Sequence, residues 1–592
     1  VGFDPFTWLN VQNTIGFNAY TDRRMSVRGK GSSSYSAGSI TTDNIYRQEL
    51  DNTLLLTATH AVTPDISVRA ILGNNVNQRF TDRKAFYGDN IIVADLHDIN
   101  NTSSVTGVQL TNNRNLLKQR YYAFFTDITV DYKNYLSLNL VGRNDISSTL
   151  PANNRSYFYG GVNGSLVLTE AFRLPKDVLS FGKVRAGYTR VGNEASPYQT
   201  AAFYQINAIL GGSTTPSNVG LPFTPAGGST YNIVTQSNLL TNANLKPEFI
   251  TELEVGTELQ FFNNRIGIDF TFYNKRSTSQ IFEVTAAPSS GYTTQILNLG
   301  EATNKGIEIG FNASPIQKRN GFNWDINANF TRNRNMIKDL GGYEKFSYGG
   351  TNGTSSVHIV GSPYGLIQGT AYARDDEGNI LIDPSSGKPL VSGSLKAIGN
   401  PNPDFIVGIT NTFRFRNISL NVQFDWKQGG QMYSNTVGQM MSRGVTRDTE
   451  KREFQIVSPG VLGDANTLTP LLDDKGNKIP NNVAMSYEDH FFNGGMGPGG
   501  VMEGSIFDAT VFRLREVALA YELPKSFLGR TPFGSASISV TGRNLWYNAP
   551  NFPKYSNFDP EVSSLGVGNS QGYDNLSVPT TKRYGVNLRC SF

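Results

Sequence analysis

The side chains that could do chemistry are few and scattered. The four histidines are His60, His97, His358 and His490. They are spread too widely for one local motif, and each reads as an isolated strand or loop residue rather than a catalytic base. Glu252 and Glu254 lie two apart, on one face of any strand. In a soluble enzyme such a pair supplies a general acid and base; on a barrel strand it faces a wet lumen. Asp375-Asp376-Glu377-Gly378-Asn379, with Asp383 beyond, gathers the oxygen ligands that a hard cation takes. The following Pro384-Ser385-Ser386-Gly387-Lys388-Pro389 lacks the ligand spacing, so Asp375, Asp376, Asn379 and Asp383 stand only as candidates. Cys590 is the single cysteine, which excludes a disulfide framework and a cysteine-rich metal site. Trp324, Trp426 and Trp546 read either as sugar-stacking platforms or as interface girdle residues. Tyr343, Tyr364 and Tyr433 fall in long connections and are the candidates for substrate contact. No Ser/His/acid set converges and no cofactor is called for, so the chain does not read as an enzyme.

The elements that carry these residues are strands. Tyr584, Val586, Leu588, Cys590 and Phe592 alternate with Gly585, Asn587, Arg589 and Ser591. Ile418, Leu420, Val422, Phe424 and Trp426 alternate with Ser419, Asn421, Gln423 and Asp425. Leu253, Val255, Leu259 and Phe261 oppose Glu252, Glu254, Glu258 and Gln260, and Trp324, Ile326, Ala328 and Phe330 oppose Asp325, Asn327, Asn329 and Thr331. This period of two predicts strands with one apolar and one polar face. About sixteen such segments can be drawn, each near the ~10 residues that a tilted membrane strand needs.

Connection lengths separate a soluble sandwich from a membrane barrel. Short ones fall at 61–65, 131–135, 262–265, 315–322 (with the hairpin pair Asn320-Gly321) and 415–417. Two of medium length fall at 173–179 and 524–534. Long ones fall between them, at 23–39, 79–115, 193–244, 337–403, 428–507 and 548–581. A sandwich gives no reason for short and long to take turns, whereas a membrane barrel has short periplasmic turns and long outer loops. Segments 211–230 and 494–500 are rich in Gly, Pro and Ser, as surface loops are. Hydrophobic residues at 38% and charged residues at 17% fit a barrel, which hides its apolar face from averages, and no apolar run of eighteen residues offers a membrane helix. The net charge of +4 comes with no basic stripe for nucleic acid.

Several phrases go beyond periodicity: Asn244-Leu245-Lys246-Pro247-Glu248, Asn298-Leu299-Gly300, Gly361-Ser362-Pro363-Tyr364-Gly365 and Gly399-Asn400-Pro401-Asn402-Pro403-Asp404-Phe405. Asp425-Trp426-Lys427-Gln428-Gly429-Gly430, Phe512-Arg513-Leu514-Arg515-Glu516-Val517, Tyr521-Glu522-Leu523-Pro524-Lys525, Gly542-Arg543-Asn544-Leu545-Trp546 and Phe558-Asp559-Pro560-Glu561 follow. In this order the set resembles the C-terminal barrel of SusC/RagA-type TonB-dependent transporters. The resemblance implies an antiparallel transmembrane β-barrel of the outer membrane of a Gram-negative bacterium, with twenty-two strands around a plug. Residues 1–592 then form one domain, the last sixteen strands or so, with the plug and first strands upstream of Val1. It further implies TonB-energised import of an oligosaccharide or peptide, a SusD-like surface lipoprotein over the outer loops, and the TonB–ExbB–ExbD complex acting through the plug. A passive sixteen-stranded porin and a barrel-anchored adhesin are the alternatives.

Overall fold

The computed structural model describes residues 1–33, 35–107, 116–202, 204–209, 231–351, 353–492, 500–529, 531–566 and 568–592. The Gly-, Pro- and Ser-rich segments at 211–230 and 494–499 lie outside them. The described chain divides into two compact units, one of Val1–Leu166, Ala186–Leu253 and Arg276–Glu301, the other of Val167–Arg185, Glu254–Lys275 and Ala302–Phe592. No helix is long and apolar enough to cross a membrane, among the described residues.

In the first unit Leu9–Arg28, Ser39–Thr63, Ile66–Ile91, Leu116–Tyr132, Leu136–Ser147 and Ser156–Val167 each pair antiparallel with the next. Turn chemistry sets the short ends. Thr63 Oγ1 accepts the amides of Asp65 and Ile66 at 3.3 and 3.1 Å, and Lys133 and Asn134 take positive φ in the next turn. The other ends differ from expectation. Residues 23–28 and 79–91 were expected in loops, yet the ladder runs on through them, giving strands of 20, 25 and 26 residues. The reason is that polar side chains occupy both faces there (Arg23, Arg24 and Ser26; Thr41, Thr42 and Asp43), which erases the period-two signal. Backbone pairing does not need that signal, and cross-strand pairs such as Arg83 to Asp43 at 2.6 Å hold it.

In the second unit Phe322–Asp339, Pro403–Phe415, Ile418–Gly429, Val511–Glu522, Ser535–Asn548 and Arg583–Ser591 pair antiparallel in that order. The Asn320-Gly321 turn closes by the Gly321 amide on the Lys318 carbonyl at 3.0 Å, with Asn320 taking the positive φ. The long connections are themselves folded. Lys345–Tyr348, Ser355–Ile359, Leu366–Gly369 and Lys396–Gly399 form a small sheet. Gln431–Ser434 lies between Ile506–Asp508 and Tyr573–Asp574. It leads into the helix Asn435–Ser442, whose first turn is capped by Ser434 Oγ accepting the Val437 amide at 3.2 Å.

Side-chain burial runs opposite to that of a soluble protein. Tyr584 and Leu588 are 75% and 71% exposed, and Leu136, Leu138, Leu140, Ile538 and Val540 are exposed on their strands. Asn77 on the opposite, polar face is 2% exposed. A soluble sandwich buries its apolar face. Here the apolar face points away from the polar networks, the arrangement that a lipid environment rewards. The polar faces bond one another: Asn75 Nδ2 donates to Thr53 Oγ1 at 2.8 Å, and Asn77 Nδ2 donates to Glu49 and Asp51 at 2.9 and 3.0 Å.

Candidate functional site

A dense polar construction in the second unit sits where the strands Ile418–Gly429, Val511–Glu522 and Ser535–Asn548 meet residues 558–561. Asp425 faces Arg513 in the ladder, and the register then slips between Gln423 and Phe424 so that Arg515 is the extra residue. The bulge turns Arg515 toward the same polar side as Arg513. On the next strand the register slips between Leu514 and Glu516, and Asn544 takes φ 52° there, a conformation that asparagine tolerates better than most residues.

Arg513 grips Asp559 with two hydrogen bonds of 2.8 and 2.7 Å, both side chains being 3% exposed. Asp559 also accepts from Thr580 Oγ1 at 2.6 Å and from the Glu561 amide at 3.0 Å. Arg515 holds Glu561 bidentately at 2.9 and 2.7 Å, donates to Asn544 Oδ1 at 3.1 Å, and pairs with Asp425. Burial raises the Asp559 carboxyl while the Arg513 guanidinium and Thr580 lower it, and the net position is below the ordinary aspartate value. Glu561 is likewise held low, first by its bonds to Arg515. A cavity of about 310 Å³ opens beside this lattice, its polar lining including Asn329, Gln423, Asp425, Lys427 and Glu561.

The phrases singled out in the sequence thus prove to be partners. Arg513 and Arg515, two apart, meet Asp559 and Glu561, also two apart. The same holds elsewhere. Asn298 donates to and accepts from the Lys246 backbone, both at 2.8 Å. Asn402 Nδ2 donates to the Tyr364 carbonyl at 2.9 Å, while Asn335 bonds both the Tyr364 amide and Asn402 Oδ1 at 2.7 Å. Sequence reasoning missed these pairings, although the matched i, i+2 spacing of Arg-x-Arg and Asp-x-Glu was a usable signal.

Of the candidate cation residues, Asp375, Asp376 and Asn379 share one turn and Asp383 stands in another. Asp375 closes a turn by accepting the amides of Glu377 and Asn379 at 3.0 and 2.8 Å and the Asn379 side chain at 3.0 Å. Lys478 Nζ then lies 2.9 Å from Asp375, 2.6 Å from Asp376 and 3.3 Å from Glu377, so a tethered ammonium stands among these carboxylates. Asp383 closes its own turn with Ser385 and Ser386. Among the described residues no three of His, Cys, Asp and Glu are grouped to hold a metal ion. Asp473 repeats the Asp375 turn with the Lys475 and Asn477 amides. The two regions join by parallel pairing of Leu381 with Val461 and Ile382 with Leu462. Of the candidate tyrosines, Tyr343 is exposed and Tyr364 tilts over His358 at 4.4 Å. Tyr433 is 0% exposed, packed with Ile367 and Tyr573, and presents no ring face to solvent. Of the paired glutamates, Glu254 lies 3.6 Å from Arg185.

Residues 3–436 match the family model described as TonB dependent receptor-like, beta-barrel. The chain belongs to this family. That family is one of outer-membrane β-barrel receptors and transporters, not of enzymes. Among curated relatives, TonB-dependent receptor P3 of Formosa agariphila is 25% identical over 554 residues, covering 88% of this chain and 50% of that protein. TonB-dependent receptor P26 of the same organism is 27% identical over 533 residues, covering 83% and 49%. The chain spans about half the length of these TonB-dependent receptors. The fold is that of solved structures of the RagAB peptide transporter. One is 18% identical with a TM-score of 0.70, covering all of this chain and 61% of that one. Another, in an 'open-open' state, is 20% identical with a TM-score of 0.69 and covers 60% of that chain.

Proposed function

We propose that this chain is the barrel portion of an energised importer, carrying an oligosaccharide or a peptide too large for passive pores across the outer membrane. In this reading about sixteen of twenty-two strands lie in the chain and a plug precedes them. A SusD-like surface lipoprotein covers the outer loops, and TonB with ExbB and ExbD pulls on the plug. What supports it is that each unit builds more than a membrane crossing needs. Strands of 25 and 26 residues exceed by more than twofold the ~10 needed to cross. The long connections bury their own core, with Tyr433, Tyr573 and Val437 fully enclosed. Loops built this way present a fixed surface for a lid.

The test is co-purification from outer membranes of the full-length protein, intact and with residues 345–396 replaced by a short Gly-Ser linker. A surface lipoprotein should accompany the intact protein and be lost with the shortened one. Equal recovery from both removes the lid, and absence from both removes the partner.

A further inference from the structure

We infer that the cavity beside Lys427 is a subsite for a carboxylate of a peptide cargo. The inference rests on the import reading above and names the chemistry of what passes. The polar wall there carries three cations, Arg513, Arg515 and Lys427, and two carboxylates, Asp425 and Glu561, with a third, Asp559, buried against Arg513. The two arginines hold all three carboxylates directly: Arg513 takes Asp559, and Arg515 takes Asp425 and Glu561. Among the described residues the Lys427 ammonium makes neither an ion pair nor a hydrogen bond. It is half-buried, lines the cavity, and lies opposite Ile406 and Val511 in the ladder. An incoming anion therefore meets an ammonium with no direct partner; of the carboxylates around it, the arginines hold Asp559 and Glu561, and Asp508 accepts from the Thr510 amide and hydroxyl.

The rest of the wall fits a carboxylate group. Asn329 and Gln423 place side-chain amides in the lining, that of Gln423 donating to Asp425 Oδ1 at 3.4 Å. Gly408 leaves room for the first of these, because a Cβ at that position would sit 2.3 Å from Asn329 Oδ1. Trp426 also lines the cavity, but by parity its ring belongs to the strand face opposite Asp425 and Lys427, and its N–H donates to Gln428 Oε1 at 3.2 Å. The polar wall thus offers amides and charge without an aromatic platform, which favours a peptide carboxylate over a stacked sugar. A volume of about 310 Å³ holds one acidic side chain or a chain terminus, not a whole cargo.

The experiment measures binding of fluorescein-labelled pentaglutamate, pentaglutamine and pentagalacturonate to the full-length protein in detergent at low ionic strength. Wild type, Lys427→Gln, Lys427→Arg and Gly408→Val are compared, with heat-modifiable gel migration reporting that each barrel is folded. The expected result is that pentaglutamate binds wild type, weakens about tenfold in Lys427→Gln, recovers to within about threefold in Lys427→Arg, and weakens in Gly408→Val. Pentaglutamine should respond to none of them. Pentaglutamate binding that ignores Lys427→Gln, or fails in wild type, overturns the subsite. Lys427-dependent binding of pentagalacturonate alone overturns the peptide assignment. Binding in detergent needs no energy source. Lys427-dependent binding with TonB-independent uptake would therefore retain the subsite and remove the energised import.

Discussion

Replacing Asp559 by asparagine strips the charge from one side of the Arg513 pair while leaving its volume almost unchanged. Both groups are 3% exposed, so the guanidinium left behind cannot recruit bulk water. Breaking one side of a buried pair costs about 3–5 kcal/mol. Glu561 at 3.4 Å from Arg513 offers partial compensation, which places the expected loss near the lower end, about 3 kcal/mol. The loss falls on the seating of residues 549–582 rather than on the strands, whose ladder hydrogen bonds are untouched. Amide exchange of that segment should therefore rise by roughly a hundredfold with little change in Ser535–Asn548. Adding Arg513→Met should restore much of the protection, because removing both charges removes the uncompensated one. Exchange that rises by less than about fivefold in Asp559→Asn, or a double variant no better than the single, would refute the claim that this pair seats the loop.

On the membrane faces, Val540→Arg should cost roughly 2–4 kcal/mol in folding into bilayers, whereas Ser539→Arg on the polar face should cost little; equal effects would contradict the assigned parity. Burial lowers His358 to about 4. It stays neutral when folded but takes a proton when unfolded, so its contribution is complete above about 6.5 and is lost as the pH falls from there toward 4. Exchange of Ser355–Ile359 should accelerate across that window, and His358→Phe should flatten the response. Asp375 is held well below the usual aspartate value, first by Asn379 and then by Lys478. Lys478 is held above the usual lysine value, first by Asp376. The contribution of the aspartate is lost only as pH falls below its ordinary range and that of the lysine only as pH rises above its own, so the contact should persist from about pH 5 to 9. Lys478→Met should expose residues 374–379 to proteolysis at neutral pH, and unchanged cleavage would count against the ammonium as the tie.

Much of the barrel was legible because membrane strands write their orientation into every second residue. Tyr584 to Phe592 and Ile418 to Trp426 have the parity that the structure shows, and the short turns fall where Pro64-Asp65, Asn134 and Asn320 permit them. The extensions of the first strands were not legible. Along these extensions neither face is apolar, so the period fades although the hydrogen bonds continue. The candidate site was legible only as separate phrases. Arg513 and Asp559 are far apart in sequence, and what joins them is a bulge at Arg515 and a left-handed Asn544, local backbone features that alternation does not encode. Tyr433 illustrates the opposite case: a loop position suggests exposure, but the loops fold on their own core and enclose it.

Energised import is tested most directly by growth. A strain lacking the gene, complemented with the full-length protein, is grown on single peptide or oligosaccharide nutrients with TonB present and with TonB deleted. The account predicts that complementation restores growth on a large nutrient only when TonB is present, with small nutrients indifferent to both. Restored growth that is equal without TonB would contradict it and make the barrel a passive pore.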